Sequence, residues 1–84
     1  MDLDTNSFCF LVNCSLGKEE YIIERLKQIP SISLVDGVFG AYDIIAKMKT
    51  DNQEDLKNII TNEIRKLEYV RSTLVLMIID EQNQ

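Results

Sequence analysis

Four short segments of the chain are rich in apolar, β-branched and aromatic residues, a composition typical of β-strands. In the third segment, YDIIAKMK, the residues Ile44, Ala46 and Met48 occupy alternate positions and share one face, while Lys47 and Lys49 share the other. This alternation predicts a strand with one buried face. The four predicted strands cover residues 7–14, 32–39, 42–49 and 69–79.

Between the strands, apolar residues recur three or four positions apart, which is the period of an amphipathic helix. The first predicted helix covers residues 18–28 and ends before Pro30, because a residue that precedes proline is disfavoured in the helical conformation. The second predicted helix carries its apolar residues between positions 56 and 67. Asp51 is followed three positions later by Glu54, which predicts a capping box at the start of this helix.

The resulting order, β-α-β-β-α-β, consists of two βαβ halves that resemble each other. Ile22 of the first half aligns with Ile60 of the second, and Leu26 aligns with Ile64. Because βαβ units cross over with a right hand, the two halves predict an α+β, ferredoxin-like sandwich with a four-stranded antiparallel sheet and both helices on one face. The length of 84 residues predicts a single domain over residues 1–84, with a polar tail at 80–84.

The face of the sheet that the helices leave uncovered is also predicted to be apolar. The strand sequences FCFLV and LVLMII are apolar at both alternating positions rather than at one. A sheet that is apolar on both faces must bury the second face. We therefore predict a homodimer, formed by packing two sheets together or by joining their edges. A ligand cleft within one subunit is the competing explanation.

The charge balance narrows the class of partner. Nine basic and fourteen acidic residues give a net charge of −5, the wrong sign for a domain that must neutralise a phosphate backbone. No apolar run approaches the roughly 18 residues that a membrane helix needs, and the acidic start MDLDTN lacks the basic region of a secretory signal. We expect a soluble, cytoplasmic protein that contacts neither nucleic acid directly nor a membrane.

The residue types also limit the chemistry. The chain has no histidine and two cysteines, Cys9 and Cys14, which in one strand would lie about 16 Å apart on opposite faces, too far for a disulfide. Without histidine or further cysteines, a zinc site lacks ligands and a nucleophilic cysteine lacks its usual base. We therefore predict no catalytic residues, no metal site and no cofactor.

The turn between the second and third strands and Thr73 of the last strand are the candidate binding residues, and each of the residues below has two explanations. Gly40 suits a turn with positive φ, and its missing Cβ would also let a ligand reach main-chain N–H groups. Tyr42 is a core or interface aromatic, or a site residue. Asp43 is a solvated carboxylate at a strand end, or half of an acid/base pair with Asp36. Thr73 is an ordinary strand residue, or a hydrogen-bonding partner of a ligand.

The turn sequence VDGVFGAYDIIAKM resembles the V-x-G-x-Y-D-h-h-h-x-V signature (h, apolar) of the effector-binding domain of the Lrp/AsnC regulators, the RAM (regulation of amino-acid metabolism) domain. The stretch GKEEYIIERLKQIPSI is similar to the family's glycine-opened first helix, which ends in a proline. IRKLEYVRSTLVLMI is similar to its I-x-x-h-x-x-V-x-x-T-x-T-h stretch, except that Val75 replaces the second threonine. The matched signature positions are Val38, Gly40, Tyr42, Asp43, Ile44 and Ile45, with Met48 in place of the final valine.

This resemblance covers residues 8–79 and implies dimers that pair through their sheets and assemble into octamers, rings of four dimers. Amino acids or related metabolites would bind between dimers, close to the turn. Carried over by motif, the ligand-binding residues are Val38, Gly40, Tyr42, Asp43 and Thr73, with Asp43 as the candidate partner of an α-ammonium group. The helix-turn-helix domain usual in the family is absent from the 84 residues, so the chain resembles a stand-alone form.

The function implied by the resemblance is to sense a small effector and to modulate transcription through assembly, including assembly with full-length Lrp/AsnC regulators. Two other functions stay open. An oligomerisation module that has lost its pocket is suggested by Val75 and by the missing DNA-binding domain. A small cofactor-free enzyme of the ferredoxin-like class is disfavoured, because such sites commonly use a buried histidine as acid or base.

Overall fold

The computed structural model describes residues 6–79, and its elements follow the predicted order. The predicted polar tail at 80–84 lies outside the described residues. The second helix changes from α-helical to π-helical geometry partway along. The elements are β1 (Asn6–Cys14), α1 (Glu19–Lys27), β2 (Ile32–Gly37), β3 (Ile44–Thr50), α2 (Gln53–Asn58, continued as a π-helix over Ile59–Ile64) and β4 (Val70–Ile78).

The four strands form one antiparallel sheet in the order β2-β3-β1-β4. Strand β1 lies in the middle, so that Phe10 faces Ala46 of β3 on one side and Val75 of β4 on the other. Strands β2 and β4 are the edges. The predicted ferredoxin-like α+β fold is therefore confirmed.

One face of the sheet packs against the helices and forms the core. Phe10 of β1 and Ile44 of β3 are buried together with Ile22 and Leu26 of α1. Ile64, at the end of the π-helix, is the buried residue of the second helical segment. The aligned positions Leu26 and Ile64 thus both face the core, in agreement with the internal repeat in the sequence. Within residues 6–79, no helix is long and apolar enough to cross a membrane.

The opposite face, which we call the open face, carries apolar side chains that no helix covers. Leu11 of β1 lies between Ile45 of β3 and Leu74 of β4, and Cys9 lies opposite Leu76. Between 38 and 46 % of each of Leu34, Leu74, Leu76 and Ile78 is exposed. The prediction that both faces of the sheet are apolar is confirmed.

The start of α2 differs from the predicted capping box. Its N-cap is Asn52, one residue beyond Asp51, and the Asn52 Oδ1 atom accepts the backbone N–H groups of Glu54 at 2.8 Å and Asp55 at 3.4 Å. The Thr50 hydroxyl oxygen accepts the Asn52 N–H at 3.1 Å and thereby fixes the turn that leads into the helix. The box was wrong because this turn places the first free helical N–H groups within reach of Asn52 instead.

Replacing Asn52 by alanine removes the acceptor for two N–H groups at the start of α2. We expect Asn52→Ala to lower the free energy of unfolding by about 1 kcal/mol. Urea denaturation followed by circular dichroism measures the change. Asp51→Ala is the matched control, since Asp51 is exposed and is not the N-cap, and an equal loss in both variants would contradict the assignment.

Candidate functional site

The loop between β2 and β3 covers residues 38–43 and is longer than the turn that the sequence predicts. Strand β2 ends at Gly37 rather than at Phe39, and β3 begins at Ile44 rather than at Tyr42. The Val38 N–H donates to the Asp43 carbonyl at 2.9 Å and closes the loop. We call residues 38–43 the hairpin loop.

Gly40 adopts φ of +137°, a value that side-chain-bearing residues rarely reach, which ends any strand geometry at this point. The backbone explanation for this glycine is therefore confirmed. A Cβ added at Gly40 would meet no atom within 4 Å, so the space beside this backbone is open. The neighbouring Phe39 side chain is fully exposed at the tip of the loop.

Asp43 makes three hydrogen bonds, one within the hairpin loop and two that join the loop to β1. Its carbonyl accepts the Val38 N–H, and its own N–H donates to the Val12 carbonyl at 3.0 Å. Its carboxylate Oδ2 accepts the backbone N–H of Cys14 at 3.0 Å. The side chain is half-buried and is thus a structural acceptor at the end of β1, rather than the fully solvated carboxylate that the sequence left open.

The structure brings four of the five predicted site residues into one loop, and the fifth lies elsewhere. Val38, Gly40, Tyr42 and Asp43 all belong to the hairpin loop, where Tyr42 is half-buried. Thr73 lies opposite Val12 on the far side of β1, two strand spacings from Ile44, or roughly 9–10 Å between strand axes. The Thr73 hydroxyl oxygen accepts the Arg65 Nε–H at 3.4 Å.

Asp36 does not join Asp43 in an acid/base pair in this geometry. It is exposed and lies opposite Ile45, on the open face, whereas the Asp43 carboxylate binds the Cys14 N–H. Within residues 6–79, no group of three or more side chains is arranged to hold a metal ion. The hairpin loop therefore contains one carboxylate with a single hydrogen-bond partner in the described part of the chain and, at Gly40, a stretch of open backbone.

Sequence reasoning did not identify an aromatic cluster at the same end of the sheet. The Tyr21 and Tyr69 rings meet edge to face with centroids 5.6 Å apart, and the Lys18 ammonium lies 4.5 Å from the Tyr69 centroid. Tyr69 has φ of 77°, and its carbonyl accepts the Ser15 N–H at 2.9 Å. The cluster anchors the loop after β1 to the start of β4. No local pattern marks it, because its members come from distant segments.

The sequence also did not indicate that Cys14 is a neighbour of the hairpin loop, where its N–H donates to Asp43. Burial raises the pKa of its thiol above the usual value of 9.0, and the negative charges of Asp43 and Glu19 raise the pKa further. The thiol therefore stays neutral at neutral pH. Since this pKa is raised in the folded state, the associated stability is present below pH 9 and is lost as the pH rises through the folded-state pKa.

Asp43→Asn preserves an oxygen acceptor for the Cys14 N–H and removes the negative charge. We expect the pKa of Cys14 to fall in this variant, because a nearby anion disfavours the thiolate. Thiolate absorbance at 240 nm against pH, in a Cys9→Ser background, measures the pKa.

Asp43→Ala is the companion variant, and it leaves the Cys14 N–H without its acceptor. We expect it to be less stable to urea than Asp43→Asn by about 1–3 kcal/mol. Equal stability of the two variants would mean that this hydrogen bond contributes nothing to the fold.

Comparison with known proteins, by sequence and by structure, supports the family resemblance that the sequence pattern indicates. The family model described as the Lrp/AsnC ligand-binding domain matches residues 7–83. Comparison with curated protein sequences gave no match. The family match thus extends over nearly the whole chain and includes the hairpin loop.

Two solved structures are similar in both sequence and fold. The chain is 32 % identical to FFRP-DM1, with a TM-score of 0.83, over 88 % of this chain and 99 % of that one. It is 33 % identical to the hypothetical protein PHS023 from Pyrococcus horikoshii, with a TM-score of 0.80, over 94 % of each chain. The transcriptional regulator NMB0573 from Neisseria meningitidis, solved in complex with L-Met, shares the fold alone: TM-score 0.79 at 9 % identity, over 90 % of this chain and 51 % of that one. This chain belongs to the Lrp/AsnC ligand-binding domain family.

Proposed function

We propose that the domain binds a small amino-acid effector at the hairpin loop of a dimer, and that the effector modulates transcription regulators by changing their assembly. The observation that carries this proposal is that the half-buried Asp43 carboxylate and the open backbone at Gly40 belong to one loop, in a chain of a ligand-binding family. No catalytic role is proposed for any residue.

The chemistry of an amino acid suits the two sides of the hairpin loop. The Asp43 carboxylate uses Oδ2 for the Cys14 N–H and has Oδ1 to accept a hydrogen bond from an α-ammonium group. The ligand carboxylate would lie against the backbone at Gly40, where no Cβ obstructs the N–H groups. The L-Met bound by NMB0573 supports an effector of this class.

The remaining predicted site residues contribute less directly. Val38 is 41 % exposed and would provide apolar contact, and the Tyr42 ring, half-buried in the loop, would do the same. Thr73 is the least favoured of the predicted ligand residues, because its hydroxyl already accepts from Arg65 and it lies across β1 from the loop.

The open face supports a dimer formed by packing two sheets. Its apolar residues run across all four strands. Removing such apolar surface from water gains roughly 25 cal/mol per Å², which is a strong driving force for association. The edges of the sheet are less suitable, because β2 and β4 would each add only one row of backbone hydrogen bonds.

An assembly module without a ligand is the second candidate, and one observation favours it. Val75, which replaces a threonine of the family pattern, packs against the buried core opposite Phe10 and offers no hydrogen bond to an effector. The open face would support assembly by itself.

Placing a charge on the open face should prevent the dimer. We expect Leu74→Glu to reduce the mass in light scattering from dimer to monomer, because a carboxylate would be buried against an apolar partner face. Leu16→Glu is the matched control, since Leu16 is 95 % exposed in the loop after β1 and lies outside the open face.

The reaction rates of the two cysteines give a second measure of whether the dimer is lost. Cys9 lies on the open face and should react with a maleimide faster in the Leu74→Glu variant, while Cys14, in the core, should react slowly in both. A monomeric wild type, or a dimer that Leu74→Glu leaves intact, would contradict dimerisation through the open face.

The effector is tested by titrating each of the twenty amino acids and following mass and thermal stability. A ligand at 100 times its Kd should stabilise the fold by about 2.7 kcal/mol. We expect one amino acid or a few related ones to act on the wild type and to lose the effect in Asp43→Asn, which keeps an oxygen acceptor for the Cys14 N–H but lacks the charge. Unchanged mass and stability with all twenty would favour the assembly module.

A further inference from the structure

A β-bulge interrupts the pairing of β4 with β1 near the start of β4. Val12 pairs with Thr73 and Asn13 with Ser72, so a regular antiparallel ladder would place Arg71 opposite Cys14. Cys14 pairs with Val70 instead, and Arg71 is the extra residue. A bulge of this kind bends the strand and re-aims the inserted side chain. Arg71 thereby leaves the regular alternation of the sheet.

The bulge brings Arg71 to a niche where the turn after the π-helix meets β4. The niche has a volume of about 360 Å³ and is lined by Arg65, Val70, Arg71, Ser72 and Thr73. The Arg65 Nε–H donates to the Thr73 hydroxyl at 3.4 Å, which orients the Arg65 side chain along β4. We call these residues the arginine niche.

The charge of the arginine niche is opposite to that of the whole chain. Arg65 and Arg71 are two of its five lining residues, and no acidic residue is among the five. The Thr73 hydroxyl oxygen accepts from Arg65, whereas the Ser72 hydroxyl oxygen accepts the Asn13 side-chain N–H at 3.4 Å. The chain as a whole carries fourteen acidic residues against nine basic ones. Like charges that line the same niche repel each other, and an anion bound between them would offset this repulsion. An anion would therefore have to be attracted by the arginines of the niche, since the net charge of the protein repels it.

We infer that the arginine niche is a binding site for an oxyanion, a phosphate or carboxylate group of a small molecule. Guanidinium groups bind both kinds of oxyanion through two parallel N–H···O bonds, and the Arg65 Nη groups stay available while Nε is held by Thr73. β4 is an edge strand, so one row of its backbone groups has no neighbouring strand to pair with. The site lies across β1 from Asp43 and does not depend on the proposed effector site.

The test measures binding of inorganic phosphate, with malonate as the carboxylate probe, at constant ionic strength set with chloride. Isothermal titration calorimetry gives the affinity, and ¹⁵N shifts of the arginine Nε groups give the location. We expect saturable binding to the wild type of at least one probe, with shifts at Arg65 and Arg71. The relative affinities for the two probes identify which class of oxyanion the niche prefers.

Variants of exposed arginines separate the niche from general charge effects. Arg65→Gln and Arg71→Gln should each weaken binding about tenfold or more, because each removes a charged hydrogen-bonding partner. Arg71→Lys keeps the charge and loses the two-pronged geometry, so we expect an intermediate affinity. Arg25→Gln, an exposed arginine of α1 outside the niche, removes the same charge and should leave binding unchanged.

Absence of saturable binding by either probe would overturn the inference, and so would equal weakening by Arg25→Gln and the two niche variants. Asp43→Asn should bind the probes as the wild type does. Loss of effector binding and loss of oxyanion binding are therefore distinguishable.

Discussion

The register of the central strand β1 is the constraint on which both faces of the domain depend. Its alternate residues Phe8, Phe10 and Val12 are buried beneath the helices, while Cys9 and Leu11 face the other way. A slip of one residue would exchange these two sets. The same hydrogen-bond ladders that build the core therefore also build the open face. The fold and the proposed dimer surface cannot vary independently.

Asp43 extends this dependence to the hairpin loop. Its backbone N–H donates to the Val12 carbonyl and its carboxylate accepts the Cys14 N–H. The loop is therefore bonded to the C-terminal end of β1. A ligand that engaged the other carboxylate oxygen would act on a group already bonded to the strand that presents the open face. This gives the proposed effector a short physical connection to assembly, through one side chain rather than through the core.

The two candidate sites differ in charge and lie on opposite sides of β1. The hairpin loop offers a carboxylate, which suits an ammonium group, and the arginine niche is lined by two arginines, a residue type that suits an oxyanion. Because the chain is acidic overall, the presence of two arginines in one niche needs a specific structural cause. The bulge at Arg71 provides one, because a regular strand would continue the alternation across the position instead of re-aiming it.

The sequence by itself determined the element order, the ferredoxin-like fold, the buried faces and the uncovered apolar face. These follow from periods of two and 3.6 residues, which are local properties of the chain. It also indicated the hairpin loop, through Gly40 and the family pattern around it. Strand ends, the cap at Asn52 and the π-helix after Asn58 needed the structure, because each depends on which hydrogen-bond partner is within reach. Only the tertiary structure placed Thr73 beside Arg65, committed Asp43 to Cys14 and inserted Arg71 as a bulge, since these contacts join segments that are distant in sequence or depend on the register between strands.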